Sequence, residues 1–271
     1  MYSFDYQKAA SLADASAALM RDADSRPLAG GQSLIAAMKL RLSRPIEVVD
    51  LSPIAELRGI RVEPDAVTLG AMTRHAEVAT SPEVNKAIPA LASLAAGIGD
   101  RMVRNMGTCG GSVANNDPAA DYPAGCVALD ATIITNRRSI AADDFFKGLY
   151  ETALEQGELI TAIRFPIPKR AAYMKFKNPA SRYAIVGVLI ADFGSSVRVA
   201  VTGAGPGVFR VPEMEQALGK NFTPEAIANI KVSDQNLNSD LHAKADYRAH
   251  LITVMARRGV QVALDGAGAA T

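Results

Sequence analysis

The chain has 271 residues, 49% of them hydrophobic, enough to bury substantial cores in two or three small domains. Its 29 Lys and Arg against 28 Asp and Glu leave a net charge of +1, which gives no support to nucleic-acid or membrane-surface binding as the main role. Two cysteines, Cys109 and Cys126, with no CxxC pair, argue against a disulfide framework and cannot supply four thiolates to an iron–sulfur cluster.

Other classes fall away on the same grounds. Apolar runs such as Ile185–Ile190 are too short to span a bilayer. The start, Met1-Tyr2-Ser3-Phe4-Asp5, lacks the basic and apolar regions of a signal peptide, so the expected location is the cytoplasm. His75, His242 and His250 stand apart, and no Ser/His/Asp set, paired acids or metal spacing is visible. No catalytic residue and no metal ligand is therefore expected on this chain. Redox chemistry here would have to come from an organic cofactor.

In chain order, Ser11-Leu12-Ala13-Asp14 reads as a capping box opening a helix to about Asp22. Arg26-Pro27-Leu28-Ala29 predicts a short strand, Leu34–Leu40 a short helix, and Ile46–Leu51 a buried strand. Together they form a β-α-β-like unit. Gly59–Glu63 and Ala66–Gly70 predict a hairpin across Pro64-Asp65. Thr73–Ala79 and Ile88–Ile98 predict helices, whereas Gly99–Ala120, rich in Gly, Asn and Asp, predicts a long ordered loop of the kind kept for binding. Tyr122–Leu129 predicts a helix, and Ala131–Thr135 and Leu159–Phe165 predict strands. After a linker at Pro166–Arg170 come strands at Ala172–Lys177, Ile185–Phe193 and Val197–Thr202, the last two joined by Gly194-Ser195-Ser196. Helices near Pro212–Leu218, Pro224–Ile230 and Asp246–Leu264 follow, and Gly266–Thr271 is expected to fray.

Two glycine pairs stand out, Ala29-Gly30-Gly31-Gln32-Ser33 and Thr108-Cys109-Gly110-Gly111-Ser112. Two glycines beside a small hydroxyl let backbone N–H groups close around an anion. Neither has the spacing of a nucleoside-triphosphate loop or of a G-x-G-x-x-G fingerprint. The first sits at a strand-to-helix junction and can be a bare connection or a phosphate cradle. Two such turns suggest one ligand with two phosphates held from two sides, and a dinucleotide is the economical candidate. Asp121 can accept from ribose or ribityl hydroxyls, or simply cap the helix at Tyr122. Cys109 reads as a small apolar side chain packed under its turn and Cys126 as a core residue, while His75 can cap or line a pocket but more often such a lone histidine is structural. Lys175 and Lys177 share one strand face, which suits phosphate or flavin contact and equally a solvated edge.

The motifs Ala29–Leu34 with Met38–Leu42, Ile98–Asp100, Val103–Ser112, Asp117–Ala124, Asp143–Phe146 and Ser181–Val186 resemble the FAD-binding medium subunit of the molybdenum hydroxylases, the xanthine dehydrogenase and aerobic carbon monoxide dehydrogenase family. The match runs over nearly the whole chain and is nearest the carbon monoxide dehydrogenase branch. The resemblance implies an α+β protein. It combines a two-subdomain FAD-binding fold of the PCMH/vanillyl-alcohol-oxidase type with a C-terminal α+β domain holding a three-stranded antiparallel sheet and helices. The implied domains are residues 1–56, 57–168 and 169–271. Implied FAD contacts fall on Pro27, Leu28, Ala29, Gly30, Gly31, Gln32, Ser33 and Leu34, on Thr108, Cys109, Gly110, Gly111 and Ser112, and on Asp121. They extend to Ile160, Lys177 and Tyr183, where Tyr183 matches an aromatic ring covering one isoalloxazine face. Cys109 departs from the branched aliphatic residue usual at its position.

Molybdopterin and two [2Fe–2S] clusters are implied on a large and a small partner subunit, in a dimer of heterotrimers. Electrons would pass from the clusters to FAD and on to an external acceptor. The alternative is a free-standing FAD-dependent NAD(P)H oxidoreductase, as on the scaffold of the enolpyruvyl-glucosamine reductases.

Overall fold

The computed structural model describes residues 1–266; the rest of the expected frayed tail lies outside the described residues. The N-terminal unit holds β1 (Asp5–Lys8), α1 (Leu12–Arg21), β2 (Arg26–Leu28), α2 (Leu34–Lys39) and β3 (Glu47–Asp50). β3 lies between β1 and β2 and is parallel to both. Ser11 caps α1 as expected, its Oγ accepting from Asp14 N at 3.1 Å while Asp14 accepts from Ala10 N at 2.9 Å. Ala15, Ala18 and Leu19 of that helix are buried in one cluster with Val49 and Leu51.

A five-stranded sheet follows, ordered β4 (Ile60–Val62), β5 (Ala66–Gly70), β10 (Ile160–Pro166), β6 (Thr132–Thr135) and β7 (Ser139–Ala141). The helices between β5 and β6 are α3 (His75–Thr80), α4 (Pro82–Ala87), α5 (Pro89–Ala96), α6 (Arg101–Met106), α7 (Cys109–Asn115) and α8 (Tyr122–Ala128). α9 (Ala142–Phe145) leads into a small hairpin, β8 (Phe146–Gly148) and β9 (Glu151–Thr152).

The expected loop at Gly99–Ala120 is thus mostly helical. Asp100 Oδ1 accepts from Val103 N at 2.9 Å and Thr108 Oγ1 from Gly111 N at 3.2 Å, so two capped short helices form where periodicity is too brief to read.

The C-terminal sheet is antiparallel in the order β11 (Arg170–Lys177), β12 (Ala184–Asp192), β13 (Val197–Thr202), β14 (Phe209–Arg210). It has four strands where three were expected, because two-residue β14 is too short to show a pattern. β12 is buried throughout its nine residues, as a central strand covered on both faces must be. One face carries α10 (Pro212–Lys220) and α11 (Ala245–Leu264). The other packs into the core of the five-stranded sheet through Tyr173, Leu189, Ala191 and Ala200. Pro224–Ile227 is a 3-10 helix.

Polar ties fix the same junction. Thr202 Oγ1 and Gly203 N donate to Pro118 O at 3.0 and 2.8 Å, and Arg198 Nη2 meets Asp143 Oδ1 at 2.5 Å. The segment before Asp121 is therefore held from the C-terminal sheet. No helix among the described residues is long and apolar enough to cross a membrane.

Candidate functional site

A cleft of about 420 Å³ runs between the N-terminal unit, the α6–α7 region and the β11 edge, within the size range of small-molecule sites. Both glycine turns line it. They meet there through backbone contact. A Cβ on Gly30 would stand 2.7 Å from Gly107 Cα, and one on Gly111 would stand 3.4 Å from Ala29 Cβ.

The two turns differ in what they offer. The N–H groups of Gly30, Gly31, Gln32 and Ser33 find no acceptor among the described residues. Gly31 holds the turn in the left-handed region with φ +72°. In the second turn the N–H groups are already used. Cys109 N donates to Thr73 O at 3.0 Å, Gly110 N to Ala71 O at 2.9 Å and Ser112 N to Thr108 O at 3.0 Å. Gly110 is a packing glycine, since a Cβ there would lie 2.7 Å from the Ala71 backbone. The second turn contributes shape and the Thr108 and Ser112 side chains, whereas the first contributes free donors.

Fourteen of the sequence-derived positions line the cleft: Pro27, Ala29, Gly30, Gly31, Gln32, Ser33, Leu34, Thr108, Gly110, Gly111, Ser112, Asp121, Ile160 and Tyr183. Three do not. Leu28 lies in β2 with its side chain beside Gly31. Cys109 is fully buried, its Sγ 3.2 Å from Gly70 O, and burial pushes the thiol up to about 12. Lys177 ends β11 exposed, past a register irregularity.

Lys175, two residues earlier, lines the cleft instead. Its Nζ lies 2.9 Å from Asp121 Oδ2 and 3.2 Å from Gly97 O, with 4% of the side chain exposed. The other Asp121 oxygen accepts from the buried Tyr173 hydroxyl. Asp121 occupies the N-cap position of α8, yet makes no side-chain cap bond. Burial pushes its carboxyl up and the Lys175 ammonium opposes that shift. The cap reading is thus replaced by a buried ion pair opening on the cleft.

Two further residues line the cleft beyond the implied FAD contacts. Glu158 forms two bonds of 3.0 Å to the Arg138 guanidinium and accepts from Thr135 Oγ1 at 2.8 Å, which holds its carboxyl down at about 2. That clamp fixes the turn leading to Leu159 and Ile160. His75 opens α3 against Gly107, and burial, then the Arg104 charge, lowers its imidazole to about 4. Tyr183 is half exposed at the mouth, and partial burial, then the Asp117 and Asp121 charges, raise its phenol.

The donor set fits a dinucleotide pyrophosphate. Four adjacent N–H groups stand free, and both buried carboxylates on the cleft wall, Asp121 and Glu158, are neutralised by cations. Among the described residues no group of three His, Cys, Asp or Glu side chains is placed to hold a metal.

Comparison with known proteins agrees with this chemistry. Residues 2–168 match the FAD binding domain in molybdopterin dehydrogenase, and residues 171–263 the CO dehydrogenase flavoprotein C-terminal domain. The carbon monoxide dehydrogenase medium chain of Hydrogenophaga pseudoflava is 36% identical, with 96% of each chain covered. The nicotine 6-hydroxylase medium subunit of Paenarthrobacter nicotinovorans is also 36% identical, over 94% of this chain and 95% of its own. Among solved structures, a Cu,Mo-CO dehydrogenase in its cyanide-inactivated form superposes with TM-score 0.89 and 36% identity, over 98% of this chain and 99% of that one. With its four free turn amides, its cleft and these matches along nearly its whole length, the chain belongs to the family of FAD-binding medium subunits of the molybdenum hydroxylases.

Proposed function

We propose that the chain carries electrons between a partner subunit's [2Fe–2S] clusters and an external acceptor, in a cytoplasmic dimer of heterotrimers whose large subunit oxidises substrate at molybdopterin. The cofactor part of this reading is carried by the run of free N–H groups at Gly30–Ser33, on a cleft that Lys175, Asp121 and Tyr183 also line. FAD supplies the redox chemistry when bound. The chain's own residues bind it, orient it and limit its contact with water.

The amides of Gly30 to Ser33 bind the pyrophosphate, with Thr108 and Ser112 on the opposite wall. Asp121, fixed by Tyr173 and Lys175, offers an oriented carboxylate to ribityl hydroxyls, and Tyr183 covers a ring face at the mouth. Ile160 supplies apolar wall, positioned by the Glu158–Arg138 clamp. The buried Asp121–Lys175 pair keeps that end of the cleft close to neutral overall. The division into units at residues 1–56, 57–168 and 169–271 belongs to the same proposal. So does the assignment of Pro27, Ala29, Leu34, Gly110 and Gly111 as backbone and apolar contacts.

The test is co-expression of the chain with the molybdopterin and iron–sulfur partners encoded in its source genome, followed by purification through a tag on this chain. Co-elution of molybdenum, iron and FAD, with flavin reduced on adding the partner's substrate, is expected. Steady NAD(P)H turnover on a small organic substrate by the chain alone would replace the proposal with the free-standing oxidoreductase.

A further inference from the structure

The second wall of the cradle has a buried polar group that the backbone does not use. His75 is 4% exposed and lines the cleft, and its Nδ1 is sealed from solvent without a hydrogen-bond partner. The Tyr122 ring packs against the imidazole, centroids 5.4 Å apart and tilted by 32°, and its hydroxyl is also buried without a partner. Buried polar groups of this kind are paired in folded proteins, so both atoms call for one.

The opposite edge of the imidazole points to what it serves. A Cβ at Gly107 would lie 2.7 Å from His75 Nε2, and a Cβ at Gly30 would lie 2.7 Å from Gly107 Cα. Gly30, Gly107 and the imidazole are therefore stacked in direct contact, with Nε2 at the seam where the two glycine turns meet. His75 N donates to Gly107 O at 3.0 Å, which fixes the ring's own backbone to that seam.

We propose that His75 is a cofactor-contacting residue, donating a hydrogen bond from Nε2 to a phosphate oxygen of the dinucleotide held at Gly30–Ser33. In this arrangement the proton sits on Nε2 and Nδ1 accepts. A neutral imidazole suffices as donor, and burial together with Arg104 keeps it neutral near pH 7. The inference rests on the FAD reading of the cleft. It adds a side-chain donor to the second turn, whose own N–H groups are committed within the protein.

The experiment uses the full chain freed of flavin, titrated with FAD and followed by flavin fluorescence. His75→Phe keeps an aromatic ring and removes the donor; His75→Gln keeps an N–H. Phe is expected to weaken FAD binding about ten- to a hundred-fold, as for loss of a bond to a charged group, and Gln to recover most of it. Thermal melts of the flavin-free variants check the fold. Nitrogen NMR of the wild-type chain supplies a readout independent of any variant. An Nε2-protonated tautomer whose Nε2 resonance moves on adding FAD is expected. An Nδ1-protonated ring indifferent to FAD, or equal affinity in the Phe variant, overturns the role of His75 while leaving FAD binding intact. Failure of the wild-type chain to bind FAD at all overturns the underlying reading instead.

Discussion

Gly30 packs against Gly107 so closely that a Cβ on the first would stand 2.7 Å from Cα of the second. The cradle and the α6–α7 wall are thus joined by bare backbone, and every side chain larger than hydrogen pushes them apart.

Gly30→Ala puts a Cβ onto Met106 O, so it is expected to push the Met106–Gly107 backbone away and to cost about 1–3 kcal/mol, as overpacking does. FAD affinity should fall with it. Urea unfolding of the flavin-free chain and FAD titration of the same sample measure both effects.

Gly110→Val makes a contrasting case. Its side chain would meet the Ala71 backbone beneath the turn. The variant should lose stability whether or not FAD is supplied, with the melting temperature lowered in the flavin-free protein. A variant that melts like the wild type but no longer takes up FAD would contradict this.

Lys175 and Asp121 are 4% and 5% exposed at their side chains and paired at 2.9 Å. Lys175→Met leaves a buried carboxylate without its cation, a change that costs about 3–5 kcal/mol. Adding Asp121→Asn should recover part of that loss, giving a coupling of more than about 1 kcal/mol in a double-mutant cycle. Additive losses would show that the pair does not act as a unit.

Glu158 is held at about 2 by the Arg138 guanidinium against an ordinary 4.5, so its ionised form is favoured in the folded state. For a lowered carboxyl, the stabilisation is complete above pH 4.5 and is lost as pH falls toward 2. Glu158→Gln should therefore be less stable than the wild type at pH 7, by about 1–3 kcal/mol. The difference should narrow steadily below pH 4.5 in urea titrations. A gap independent of pH would assign the effect to packing.

The strands and longer helices were legible because their apolar patterns are long, as in β12 and α11, and because Ser11 and the glycine pairs mark ends and turns. Residues 101–115 were not. α6 and α7 run six and seven residues, and α7 opens Cys-Gly-Gly, a poor helix former stabilised by the Thr108 cap and by bonds to Thr73 and Ala71 from β5's end. The site was legible where the backbone makes it. Both glycine turns, recognisable by residue type alone, line one cleft. Whether their amides are free depends on Ala71 and Thr73, nearly forty residues away in sequence, which no local pattern reveals. The same holds for Lys175 against Lys177. Their spacing reads as one strand face, but the register shifts between Phe176 and Lys177, and Asp121, just before α8, pairs with Lys175.

The most direct test is an absorption spectrum of the purified chain, with the released cofactor identified by chromatography after denaturation. FAD near one per chain, with a lower content in Gly30→Ala, is the expected result. A colourless chain that also refuses added FAD would contradict the assignment of the cleft.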